Sequence, residues 1–160
     1  MRLILLCSSA TFLFGLLGLL QGQDVPAEGP TFTCGLNAAY ILLNKTGHHA
    51  SYANLLRDFK NQNPPDSLLA IKNVLEEHGC ATVGIKADAD FFLNNKGPAI
   101  VYLQLSGFAP TNENHFSYLV SANRQTGAEL LDPIFDVKEA SFLTWDTFSR
   151  SYQGMALILK

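Results

Sequence analysis

At 160 residues, with 48% apolar and 16% charged residues, eleven Phe and five Tyr, the chain carries enough apolar matter to pack one core and is unlike an unfolded polar chain. Acidic residues outnumber basic ones, 14 to 11, and no Lys/Arg run or basic stripe occurs, so a phosphate-neutralising surface is excluded and nucleic acid is not an expected partner.

Arg2 precedes an uncharged stretch rich in Leu and Phe over residues 3–20, which then gives way to Gln21, Gly22, Gln23 and Asp24. Residues 1–23 read as a signal peptide or an N-terminal membrane anchor. Both forms stay open, because the stretch exceeds the roughly 7–15 residues of a usual signal core and no small-x-small cleavage site stands out. Either way the remaining domain, residues 24–160, is expected outside the cytosol: periplasmic, extracellular or membrane-anchored. Any membrane contact is expected only through that first segment.

Residues 24–33 hold two Pro and one Gly and read as an extended lead-in. A first helix follows over residues 35–44, with Leu36, Ala39, Tyr40 and Leu43 on one stripe. Ser51 caps a second helix whose Tyr52, Leu55, Leu56 and Phe59 repeat that spacing. Pro65, Asp66 and Ser67 introduce a third, with Leu68, Ile71, Val74 and Leu75 inward and Gly79 as its C-terminal stop. The pattern then changes to a strand over 80–85, one helical turn over 88–93 and an apolar β-branched strand over 99–105. A polar loop leads to an alternating strand over 115–122, a turn over 123–127 and a return strand over 128–131 that Asp132 and Pro133 break. A brief helix over 145–152 and a strand over 155–159 complete the chain. Helices first and an antiparallel sheet afterwards give an α+β domain, with a cleft expected where the two parts meet.

Cys34 stands at the start of the first helix, where unpaired N–H groups and the positive end of the dipole favour a thiolate. The hairpin formed by strands 115–122 and 128–131 puts His115 opposite residues 132–135, a window that includes Asp132. A carboxylate there could fix the imidazole tautomer and support its charged form. Singly, each residue has a plain structural reading: a small buried hydrophobe, a surface imidazole, a turn starter. Jointly they supply nucleophile, base and orienter. A Cys34–Cys80 bridge is the competing reading for the cysteines.

The segments CGLNAAYILLNKTGHHASYANLL, NHFSYLVS, LLDP and YQGMALILK resemble the bacteriocin-processing double-glycine peptidases, a papain-like family of cysteine peptidases, over residues 34–159. The resemblance implies a papain-like fold, catalytic roles for Cys34, His115 and Asp132, and a peptide or protein substrate. One position departs from it. The family generally places a Gln six residues before the nucleophile as an oxyanion donor, and here Glu28 occupies that place, where an ionised carboxylate would repel the developing charge. A peptide-binding module that keeps the fold without turnover is therefore the alternative to a peptidase. Acyl transfer through the same triad also stays open. Many relatives are fused to a membrane transporter, so the usual substrate does not carry over directly.

The remaining polar residues carry less. Asn112, Glu113 and Asn114 precede His115 in the loop expected to rim the cleft and are candidates for substrate contacts. His48, His49 and His78 lack metal-ligand spacing, and no Gly-rich phosphate loop occurs, so neither a metal nor a cofactor is expected. Cys80 reads as a core residue. Phe142, Trp145 and Phe148 share helical spacing and read as a core aromatic cluster. The oligomeric state is not legible in the sequence.

Overall fold

The computed structural model describes residues 33–64, 67–104, 114–132 and 136–160, leaving aside the side chains of 33, 114, 132 and 136–139. Three helices come first, α1 (Thr33–Lys45), α2 (Tyr52–Lys60) and α3 (Leu68–Glu77). The chain then runs β1 (Thr82–Lys86), α4 (Phe91–Asn94), β2 (Ala99–Gln104), β3 (Asn114–Asn123), β4 (Gly127–Asp132), β5 (Asp136–Leu143), α5 (Trp145–Ser151) and β6 (Tyr152–Leu159). The strands form one sheet in the order β1-β6-β2-β3-β4-β5, antiparallel at every pairing.

Local chemistry accounts for the element boundaries. The Ser51 hydroxyl accepts the Asn54 N–H at 3.3 Å, and the Ser67 hydroxyl accepts the Ala70 N–H at 3.0 Å, so each side chain satisfies a donor that helix geometry leaves unpaired. The α3 stop relies on Gly79, whose φ of 80° is accessible to glycine without a Cβ clash. Pro65 and Asp66, expected to help introduce α3, lie outside the described residues.

The sheet is covered on both sides. Leu36, Leu42, Leu43, Leu55, Ile71 and Leu75 of the helices pack with Ile100, Phe116, Tyr118 and Leu157 of the sheet. On the opposite side Val101, Leu103, Leu119 and Leu130 pack with Phe92 of α4 and Phe148 of α5. Among the described residues no helix is long and apolar enough to cross a membrane.

Two expectations need correction. Phe142 is not a core residue in a helix: it lies on β5 and is 64% exposed, while Leu143 beside it is buried, as strand alternation requires. Trp145 and Phe148 do belong to α5, and their rings sit 5.8 Å apart. The last strand also begins at Tyr152 rather than residue 155, because Tyr152 pairs with Leu103 beyond an irregularity in the β2–β6 ladder.

Candidate active site

Cys34 is the second residue of α1 and is partly buried. No acidic side chain lies in the first turn of that helix to compete with a thiolate for the dipole. The position of this helix end follows from Gly35. A Cβ built there would stand 3.0 Å from Ile71 Cδ1 of α3 and 3.6 Å from the Phe116 ring of β3. The missing side chain lets α1 start directly against both elements.

One turn further along, Asn37 is buried, and its Oδ1 accepts the Tyr52 hydroxyl of α2 at 2.8 Å. Tyr52 also meets Tyr40 of α1 edge-on, with centroids 5.5 Å apart. The Cys34 end of α1 is thus held from α2, α3 and β3 together.

His115 is the second residue of β3, buried, and pairs across with Leu103 of β2. The next rung pairs Phe116 with Tyr102, whose rings are 4.9 Å apart. Strand alternation turns Phe116 and Tyr118 toward α1 and gives His115 to the side of Leu103.

The hairpin register follows the sequence-based expectation as far as it is described. Tyr118 pairs with Leu131, the described register ends three residues short of His115, and Asp132 is the final residue of β4. The Asp132 side chain lies outside the described residues, as do Glu28, Asn112 and Glu113. Asn114 pairs with Gln104 at the start of β3, its side chain likewise undescribed.

Tyr102 is the neighbour of Cys34 that the sequence did not single out. Both pack against the helix-side core, and both are partly buried. Burial pushes the Tyr102 phenol above its ordinary ionisation range, and an ionised Cys34 would raise it further. The signal available in the sequence was only an aromatic residue within an apolar strand.

The other cysteine differs in kind. Cys80 is buried at the end of the α3 turn, its Sγ 4.0 Å from the Thr46 hydroxyl, and burial pushes its thiol up despite that contact. Both cysteines are free thiols. His48 and His49 are exposed, and His78 caps α3, donating from Nε2 to Asp58 at 3.0 Å. Among the described residues no group of three His, Cys, Asp or Glu side chains could hold a metal ion.

Solved structures share this arrangement. A double-glycine motif protease from an AMS/PCAT transporter, solved in complex with the leader peptide, superposes with TM-score 0.67 at 19% identity, covering 86% of this chain and 90% of its own. The peptidase domain of Streptococcus ComA, a bi-functional ABC transporter in quorum sensing, gives 0.68 at 22%, covering 82% and 93%. The N-terminal peptidase C39-like domain of a Vibrio parahaemolyticus toxin secretion ATP-binding protein gives 0.61 at 17%, covering 79% and 95%. At such identities the likeness establishes the papain-like fold. No curated protein sequence matches the chain. The model of the peptidase C39 family matches residues 27–160, and the chain belongs to that family of cysteine peptidases.

Proposed function

We propose that the chain hydrolyses peptide bonds through a thioester on Cys34, with His115 as general base and then acid and Asp132 as the residue orienting it. The observation that carries this reading is the seating of the α1 start, through Gly35, on Phe116, the chain neighbour of His115. The thiolate adds to the scissile carbonyl, His115 protonates the leaving amine, and water activated by His115 releases the acyl group. A peptide substrate is supported by the fold's likeness to a protease solved with its leader peptide.

Competitive labelling tests the nucleophile. Iodoacetamide is expected to label Cys34 at least tenfold faster than Cys80, whose thiol burial keeps protonated, with the Cys34 rate falling in His115→Ala. Equal slow labelling of both cysteines would sink the proposal.

Glu28 favours a second reading, a peptide-binding module without turnover. It predicts a parent that binds peptides but cleaves none, with Glu28→Gln gaining activity. Residues 1–23 are proposed as an export leader or anchor; N-terminal sequencing of the secreted and membrane fractions distinguishes cleavage from retention.

A further inference from the structure

Successive residues of a helix are turned about 100° apart, so Gly35 and Asn37 stand about 200° apart and look opposite ways from α1. Gly35 looks toward Ile71 of α3 and Phe116 of β3, at 3.0 and 3.6 Å from its absent Cβ. Asn37 looks toward α2, where its Oδ1 accepts the Tyr52 hydroxyl at 2.8 Å. Cys34 is three residues before Asn37 on the same helix and about 60° from it in direction, which leaves about 5–6 Å between their Cβ atoms.

We propose that Asn37 binds substrate, its Nδ2 donating to a backbone carbonyl of the acyl part of the peptide, the part N-terminal to the cleaved bond. This rests on Cys34 and His115 acting as above.

The amide is only half used by the protein. Asn37 is 6% exposed and lies between the buried Leu36 and Ala38, where a polar group is costly unless it is hydrogen-bonded. Tyr52 takes the oxygen. Nδ2 has no partner, and it is not one of the sealed unpaired atoms of the described residues, which are Thr82 Oγ1, Ser117 Oγ and Tyr152 OH. It is therefore a donor that solvent or a ligand reaches. Tyr52 also fixes which end of the amide stays open. Burial raises its phenol and keeps the hydroxyl protonated, and its ring stands edge-on to Tyr40 with centroids 5.5 Å apart.

The two sides of α1 select the acyl part. His115 belongs to β3, on the Gly35 side, and has to protonate the leaving amine, so the amine half of the peptide lies toward β3. The acyl half then extends the other way, toward α2 and Asn37. Every peptide offers backbone carbonyls whatever its side chains, so the contact holds the chain in place without reading its sequence.

The test uses the full chain and a set of fluorogenic peptide amides with one leaving group. Each acyl carbonyl in turn is reduced to a methylene. In the parent, reducing one of them is expected to lower kcat/KM about three- to tenfold, mostly through KM. Asn37→Asp keeps an acceptor for Tyr52 and loses the N–H. It should show a loss on the intact peptide, and reducing that carbonyl should then cost less than about twofold more. Any effect of the new charge on Cys34 is common to both peptides and cancels in their ratio. Tyr52→Phe, which frees the amide to turn, is expected to lower kcat/KM on the intact peptide by less than Asn37→Asp does. In Cys34→Ala, which keeps Asn37, the side-chain amide proton signals of Asn37 should move downfield with the intact peptide and stay in place with the reduced copy.

Losses from Asn37→Asp and from carbonyl reduction that simply multiply, or Asn37 signals that ignore the peptide, would overturn the role of Asn37 alone. Coupling to a carbonyl beyond the cleaved bond would overturn its assignment to the acyl part. A parent with no Cys34-dependent turnover of any amide would overturn the peptidase reading, and this one with it.

Discussion

A single methyl group decides how close Cys34 comes to the sheet. Gly35→Ala places a Cβ 3.0 Å from Ile71 Cδ1, so Ile71 must give way or the start of α1 must lift off. We expect a loss of about 1–2 kcal/mol in urea unfolding, together with a turnover deficit larger than that of Ile71→Val, which opens space at the same contact. Equal stability and activity for Gly35→Ala would show that the helix start has room to spare. The place of Cys34 at a helix start is legible in the sequence, because a cysteine between a Pro-containing lead-in and a helical stripe is a local pattern. The strand end at Asp132 is legible through hairpin arithmetic, which needs only the turn and the strand lengths. The packing of Tyr102 is not, because AIVYLQL reads as a buried strand on either face, and only the packing of α1 decides which face lies against the helices.

Among the elements, the caps and the β3–β4 turn carry the sharpest consequences. Ser67→Ala removes the acceptor for the Ala70 N–H and is expected to cost about 1 kcal/mol, with Ser67→Asp restoring most of it in thermal melts. Gly127→Ala is far more severe. Gly127 has φ of 91°, and a Cβ there would lie 1.9 Å from the Leu143 carbonyl oxygen of β5. We expect a loss of at least about 2 kcal/mol, or no soluble protein, and a variant that melts like the parent would refute the placement of β5. The helices were read correctly from Ser51, Ser67 and Gly79, since caps are local chemistry. β5 was missed for the opposite reason. The apparent helical spacing of Phe142, Trp145 and Phe148 joins an outward strand residue to two residues of a separate helix, and the one local mark of the break is Thr144, whose hydroxyl caps α5.

At the scale of the molecule, the two cores respond differently to pH. In the helical layer the hydrogen bond from His78 holds the Asp58 carboxyl below its ordinary value; this contribution is present above the unfolded pKa and is lost as pH falls through the folded one. On the other side of the sheet, burial among Phe92 and Phe148, helped by the Asp88 charge, pushes the Tyr152 phenol up to about 12, and its hydroxyl is buried without a partner. Stability from that group is complete below the unfolded value of about 10 and is lost as pH rises toward the folded one. Melting temperatures should therefore drop between about pH 10 and 12, and Tyr152→Phe should both flatten that drop and raise neutral stability by about 1 kcal/mol. Identical alkaline profiles for the two proteins would refute the assignment. The sheet order has a temporal consequence as well. β6 is last in the chain yet lies between β1 and β2, so a growing polypeptide cannot close its sheet in the order of synthesis. Until residues 152–159 emerge, β2 to β5 can pair among themselves, but β1 lacks the strand that joins it to them among the described residues.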